Sequence, residues 1–197
     1  MRPILSFMNF WSLLALSLLG LGTFASCSIS RAGYESAPYQ VIENSPPFQV
    51  RDYPPLRVVE TRMEDNTGDS GFQKLFRFIS GRNSENKKIA MTTPVFMEGS
   101  GEARIMAFYL PSAVSPSAPT PADPMVNLRV IPAGRFAVLR FGGSRSTNSE
   151  ENQLSKLNSW ILRRGWKTDR KPIFAYYDPP WTPGFLRRNE VMLRLVD

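Results

Sequence analysis

The strongest constraint on the fold is an order of elements that occurs twice in the chain. In each half, alternating apolar and polar residues predict strands, and a segment with helical spacing and two further strands follow. The halves cover about residues 39–110 and 126–197. The connection between them, 111–125, holds five prolines and predicts no regular element. Residues 48–55 align with 136–143, which favours an internal duplication.

Two copies of strand–strand–helix–strand–strand predict an α+β fold. We expect about eight strands in an antiparallel sheet closed into a distorted barrel, with two helices packed outside it. The second helix is predicted at about 148–164, with a capping box of Thr147 and Glu150 and with Gly165 as its stop.

The first helix is unusually rich in phenylalanine. Its apolar residues recur at i, i+3, i+4 and i+7, which predicts a stripe that faces the core, with Phe78 outside that stripe. Phe78 therefore predicts either a second covered face or the wall of a groove. The stripe consists of Phe72, Leu75, Phe76 and Ile79.

The first 27 residues have the pattern of an export segment. Arg2 precedes an apolar run that ends in small residues at Cys27, the sole cysteine of the chain. The residues before Cys27 resemble a bacterial lipobox, so we expect Cys27 to be lipidated and residues 28–38 to be a flexible tether. Cleavage near Ala25 and an uncleaved anchor are the alternatives. The expected location is a bacterial membrane, with the domain at 39–197 facing the periplasm.

The composition excludes several kinds of chemistry. The 197 residues include no histidine, which excludes histidine acid–base catalysis and histidine metal sites. A single cysteine excludes an intramolecular disulfide. The net charge of +7 suits an anionic ligand or an anionic lipid surface. Because the basic residues are scattered, we expect no nucleic-acid partner.

A proline-rich loop near the C-terminus carries aromatic and basic residues together. Three prolines within 179–183 stiffen its backbone. Trp181 and Phe185 precede Arg187 and Arg188, a combination that suits a flat, anionic, aromatic ligand. The alternative is a structural turn whose aromatic residues cap the core.

Three segments of the chain resemble the SOUL haem-binding protein family. They are KIAMTTPV at 88–95, FGG at 141–143, and the stretch from YDPP to RRNEV at 177–191. The resemblance extends over about residues 39–196. It implies a distorted eight-stranded barrel of two repeats that binds haem or another tetrapyrrole in an apolar groove beside the first helix. Some family members use an axial histidine, which this chain lacks; others hold the porphyrin by apolar contact and propionate pairing.

The resemblance implies a binding site without catalytic residues. Phenylalanines of the first helix would supply apolar contact, and lysine and arginine side chains would pair with propionates. Met91 is a candidate axial ligand because it lies in a matching motif, and a core role is its alternative. The candidate contacts are Phe72, Lys74, Leu75, Phe76, Arg77, Phe78, Met91, Trp181, Arg187 and Arg188.

Two other functions remain open from the sequence. The fold resembles that of bacterial effector-binding domains, some of which are hydrolases, and Glu190 beside Tyr176 or Tyr177 is a candidate catalytic pair with a carboxylate pKa raised by burial. The alternative role for Glu190 is a structural ion pair with Arg187, Arg188 or a repeat-related arginine. The second function is a non-catalytic interaction domain at the membrane surface.

Overall fold

The computed structural model describes residues 33–63, 69–99 and 104–196, so the predicted export segment and Cys27 lie outside the described residues. The helices are α1 (Asp69–Ile79) and α2 (Thr147–Arg163). The strands are β1 (Glu35–Ser36), β2 (Gln40–Ser45), β3 (Phe48–Tyr53), β4 (Leu56–Arg62), β5 (Thr92–Thr93), β6 (Val95–Glu98), β7 (Ile105–Tyr109), β8 (Val126–Ile131), β9 (Gly134–Phe141), β10 (Lys167–Thr168), β11 (Ile173–Tyr176) and β12 (Asn189–Val196).

Ten of these strands form one antiparallel sheet that curls into a half-barrel. The order of its strands is β2-β3-β9-β12-β11-β6-β7-β4-β8, and the short β10 pairs with the end of β12. The remaining two strands, β1 and β5, form a parallel pair. The predicted α+β class with an antiparallel sheet and two helices is confirmed. The sheet has more strands than the expected eight because β2 and β10 extend it.

The sheet has an internal two-fold symmetry. Outward from the β6–β11 pair, the order is β7, β4, β8 on one side and β12, β9, β3 on the other. The two-fold therefore relates β4 to β9 and β3 to β8. The alignment of 48–55 with 136–143 matches β3 with β9 instead, so that alignment is wrong by one strand.

The strands that the two-fold relates are separated by a constant number of residues in the sequence. The ranges of β3 and β8 are 78 residues apart (126 − 48), and the same shift relates the starts of β4 and β9 and those of β6 and β11. At this shift several residues of the two halves are identical. They include Arg51 and Arg129, Pro54 and Pro132, Arg57 and Arg135, and Phe96 and Phe174.

The two faces of the sheet bury separate apolar clusters. Side chains alternate along each strand, so neighbours such as Phe96 and Met97 belong to different clusters. One cluster includes the buried residues of both helices, and the other consists of residues from the strands and adjoining segments. The helices therefore cover one face of the sheet, as predicted.

The buried face of α1 differs from the predicted stripe. Leu75, Phe78 and Ile79 are buried, whereas Phe72 and Phe76 are 40% and 49% exposed. Both faces are apolar, so periodicity alone does not choose between them. Gly71 belongs to the buried face, where a side chain of β4, one of β7 and the adjoining Met63 lie at ordinary contact distance. Packing against the sheet therefore selects the face with Phe78.

The start of α2 also differs from the prediction. Ser146 is the N-cap, and its Oγ accepts a hydrogen bond from the Ser149 N–H at 3.2 Å. The predicted capping box of Thr147 and Glu150 is wrong because the Glu150 carboxylate turns away from the helix end to Arg104. Gly165, with φ of +67°, follows the helix as predicted.

The described part of the predicted tether contacts the folded domain. Strand β1 pairs with β5, and the Ala37 N–H donates to the Thr93 carbonyl at 2.9 Å. Ordered contacts therefore begin before Tyr39, where the sequence predicts the domain to start. Within the described ranges, the helices are too short or too polar to span a bilayer.

Candidate functional site

The exposed face of α1 carries a pair of parallel aromatic rings. Phe72 and Phe76 lie one helical turn apart, with ring centroids separated by 6.0 Å and planes inclined by 13°. Phe72 also packs edge-on against the buried Phe108, with centroids 5.3 Å apart. The pair, called the α1 ledge below, is therefore an exposed apolar surface that the buried Phe108 supports from beneath.

The other predicted contacts on α1 do not share this surface. Leu75 and Phe78 face the core. At 100° per residue, Lys74 lies on the flank of the helix opposite to the α1 ledge, and Arg77 lies on the solvent side, about 100° around the helix from Phe76. Met91 is half-buried and packs against the core cluster beneath the helices. Of the predicted contacts on α1, Phe72, Phe76 and Arg77 are exposed.

The C-terminal loop separates its aromatic residues from its arginines. Trp181 and Phe185 are 82% and 84% exposed, so they do not cap the core. Arg187 donates from Nε to the Thr182 carbonyl at 2.7 Å and from Nη2 to the carbonyl of Pro180. The Arg187 guanidinium is therefore engaged by its own loop, and the flat anionic ligand that the sequence suggested would have no free cation there.

Glu190 is the centre of a buried polar cluster. Arg51 donates to both of its carboxylate oxygens, at 2.7 and 2.9 Å, and Arg188 donates to Oε1 from Nε at 2.9 Å and from Nη2 at 2.7 Å. The Tyr177 hydroxyl donates to Oε2 at 3.0 Å. The side chains of Arg51 and Glu190 are 2% and 0% exposed. Arg188 also lies over the Tyr177 ring, 3.9 Å from its centroid.

The charges of this cluster oppose the proposed catalytic role of Glu190. Burial alone would raise the pKa of the Glu190 carboxyl, but hydrogen bonds from Arg51 and the charges of Arg51 and Arg188 outweigh burial and hold that pKa below its ordinary value. Burial and the charge of Glu190 raise the pKa of Tyr177 well above the ordinary value of a phenol. The expectation of a raised carboxylate pKa is therefore wrong, and the alternative of a structural ion pair with Arg188 and a second arginine agrees with these contacts.

A second glutamate cluster lies around Glu150. Arg104 Nη2 donates to both carboxylate oxygens at 2.8 Å, the Tyr176 hydroxyl donates to Oε1, and Arg145 Nε lies 3.5 Å from Oε1. Tyr176 and Tyr177 are consecutive, so alternation along the chain sends each hydroxyl to a different glutamate. Sequence reasoning missed this cluster, for which the adjacent tyrosines were the only local signal.

A separate cavity of about 1010 Å³ opens at the end of the sheet near β2, β3 and the end of β12. Its apolar lining includes Ile42, Tyr53 and Trp166, and the ion pair of Arg135 with Asp52, at 2.8 Å, lies at its edge. Its lining residues come from elements other than α1, so it is distinct from the predicted groove. No sequence pattern pointed to it.

The described residues contain no cluster of three or more cysteine or acidic side chains suited to a metal ion. The chain as a whole has no histidine. Among the described residues, which include neither histidine nor cysteine, methionine and tyrosine are the established haem-iron donors that are present.

Comparison with known proteins identifies relatives of the whole domain. The model of the SOUL heme-binding protein family matches residues 34–194. Heme-binding protein 2 of Homo sapiens is 33% identical over 158 residues, which cover 74% of this chain and 77% of that protein. Heme-binding protein 2 of Mus musculus is 32% identical over 170 residues, which cover 80% and 82%.

Solved structures share the fold at low identity. The C-terminal domain of EcmrR aligns with a TM-score of 0.54 and 14% identity, over 81% of this chain and 98% of that domain. A hydrolase from Listeria innocua aligns with a TM-score of 0.53 and 10% identity, over 76% of this chain and 91% of that chain. These likenesses show the architecture and carry no activity to this protein.

Proposed function

Because this chain belongs to the SOUL haem-binding protein family, we propose that it binds haem or a related tetrapyrrole at the α1 ledge, without a histidine ligand. The observation that carries this proposal is the exposure of two parallel phenylalanine rings on the helix that the family resemblance indicates. Large aromatic side chains on a soluble protein are ordinarily buried, so a braced and exposed pair favours a ligand-binding role.

The α1 ledge suits one face of a planar macrocycle. The two rings pack in parallel against each other, and the contact of Phe72 with Phe108 limits their movement, so an apolar ligand can pack on their exposed surface at low conformational cost. Arg77 follows Phe76 in the chain and is exposed on the solvent side of the helix, so its long side chain is the candidate partner for a propionate. Leu75, Phe78, Lys74 and Arg188 are not part of the proposed contact surface, because they face the core, the opposite flank or Glu190.

Binding by stacking and ion pairing does not require a metal. Met91 packs against the core, so the proposal assigns it no bond to iron. Bound haem would supply the iron, and the chain's part is to bind and orient the macrocycle. We therefore expect the metal-free protoporphyrin IX to bind with an affinity within about tenfold of that of hemin.

Titration of the full chain with hemin and with protoporphyrin IX tests the site. Replacing both rings (Phe72→Ser with Phe76→Ser) removes the stacking surface and is expected to weaken binding of either ligand by roughly tenfold or more. The matched control is Leu162→Ser, which removes an exposed apolar side chain from α2. Equal affinity of the double variant and wild type would place the ligand elsewhere.

The proposed role includes export and tethering through the N-terminus. The support is the apolar run of the first 26 residues and the position of the single cysteine, Cys27, at its end. Mass spectrometry of the mature chain from a bacterial host tests this directly. A lipid-modified Cys27 at the new N-terminus is expected, and a Cys27→Ala variant would lose the lipid.

A further inference from the structure

The loop between β11 and β12 is one place where the two halves of the sheet differ. It holds twelve residues, 177–188, whereas the symmetry-related connection between β6 and β7 holds six, 99–104. In the first half, the shorter connection is enough to join the symmetry-related pair of strands. The additional residues of the 177–188 loop are therefore not needed to close the fold.

Hydrogen bonds within the loop satisfy much of its backbone. Pro179, Pro180 and Pro183 have no N–H, and the Thr182 N–H donates to the Pro179 carbonyl at 3.0 Å. The Arg187 side chain covers the carbonyls of Thr182 and Pro180. Part of the backbone of this segment is thus paired internally, which lowers the cost of entering a medium of low polarity.

Contacts with the domain hold the loop at its base. Asp178 Oδ2 accepts the Arg188 N–H at 2.6 Å, and the Gly184 carbonyl accepts the Gly143 N–H at 2.9 Å. Asn189, which is buried, donates from Nδ2 to the Gly143 carbonyl at 2.8 Å. The loop is thus a braced projection, and a partner that contacts its apolar side chains would pay little to order it.

Three large apolar side chains form the surface of this projection. Trp181 and Phe185 are more than four-fifths exposed, and Leu186 is 54% exposed. Because the arginines of the loop turn inward, this apolar tip, comprising Trp181, Phe185 and Leu186, presents no guanidinium to a ligand. Tryptophan and phenylalanine are the residues that concentrate at the boundary between lipid and water.

The apolar tip lies at the end of the sheet where the described chain starts. Strand β1 pairs with β5, which directly precedes β6, and the first residue of β6, Val95, pairs with Tyr176 just before the loop. The Tyr39 hydroxyl accepts a hydrogen bond from Arg188 at 3.1 Å. A chain anchored through its N-terminal segment would therefore present this end of the domain to the bilayer.

We infer that the apolar tip inserts into the interfacial region of a lipid bilayer and orients the domain on the membrane. The net charge of +7 complements an anionic bilayer surface. The inference does not depend on tetrapyrrole binding, because it uses a different loop and different side chains from the α1 ledge.

Trp181 reports on this contact in the full chain bound to vesicles. The vesicles contain phosphatidylethanolamine and phosphatidylglycerol, with or without lipids brominated near the headgroup end of their acyl chains. Emission is recorded for wild type and Trp181→Phe, and their difference isolates Trp181 from the other tryptophans. We expect this difference emission to shift to shorter wavelength and to be quenched by the brominated lipids.

Two further variants complete the test. Phe185→Ser removes half of the aromatic tip and is expected to reduce the quenching of Trp181, whereas Leu162→Ser on α2 leaves it unchanged. Circular dichroism should show both variants folded, since both side chains are largely exposed. A difference emission that bromine does not quench overturns the inference. A wavelength shift that depends on protein concentration and is accompanied by cross-linking between two chains at this loop also overturns the inference, because a second copy of the protein then covers the apolar tip.

Discussion

Glu190→Gln separates a structural from a catalytic role for the buried carboxylate. In the folded protein, Glu190 balances two guanidinium groups, and its oxygens accept hydrogen bonds from Arg51, Arg188 and Tyr177. Glutamine keeps the size of the side chain, but it removes the charge and turns one acceptor into a donor that faces other donors. We expect the variant to fold less stably, with the two arginines left uncompensated.

The expected loss of stability in Glu190→Gln follows from the burial of the ion pair. Removing one partner of a buried ion pair costs about 3–5 kcal/mol, a large part of the roughly 5–15 kcal/mol by which a domain is stable. The control is Asp52→Asn, which breaks an ion pair with Arg135 whose side chains are 38% and 54% exposed. Solvent screens that pair, so we expect a loss of about 1 kcal/mol or less.

Urea unfolding followed by circular dichroism measures both free energies. The pKa of Glu190 is below its ordinary value of 4.5 in the folded state, so its stabilising contribution is present above that ordinary value and is lost as the pH falls through the folded-state pKa. The difference between wild type and Glu190→Gln should therefore be constant near neutral pH and shrink in acid below about pH 4.5. A Glu190→Gln loss no larger than that of Asp52→Asn would refute the buried ion-pair account.

Two other predictions concern the helices. Leu75→Ala should lower the free energy of unfolding by about 2–5 kcal/mol because Leu75 is fully buried, whereas Phe76→Ser should lower it by less than about 1 kcal/mol. Equal losses in urea unfolding would mean that α1 presents a different face to the sheet. Ser146→Ala should lower the free energy of unfolding by about 0.5–2 kcal/mol through loss of the N-cap, and Thr147→Ala should have a smaller effect. If Thr147→Ala had the larger effect, the capping box predicted from the sequence would be the better description of this helix end.

The element types and their order followed from local patterns. Alternation predicted the strands around Phe48 and Val58, and helical spacing predicted α1 and α2 close to their observed positions. The repeat was visible, but its register was not chosen correctly, because two amphipathic strands resemble each other at several shifts. The identities of Arg51 with Arg129 and of Phe96 with Phe174, all at one shift, were the signal that could have decided it.

The candidate site was less predictable because its contacts are not local. Glu190 and Arg51 are 139 residues apart in the chain, and no spacing rule brings them together. The inward turn of Arg187 likewise depends on carbonyl groups that only the folded loop presents. The spacing of its phenylalanines made α1 apolar on more than one face, and the sheet decided which of them were left in solvent.

By itself, the amino-acid sequence determined an antiparallel α+β domain with two helices, its family, and a chemistry without histidine. The fold class and the missing histidine chemistry depend on composition and on short-range periodicity, and the family on three sequence motifs, all of which the chain carries whether or not it is folded. Tertiary structure alone decided that Phe78 is core while Phe72 and Phe76 are exposed, and that Glu190 is neutralised while Trp181 faces solvent. Such choices are made by packing and by charge pairing between distant segments, because burial selects among faces and partners that are locally equivalent.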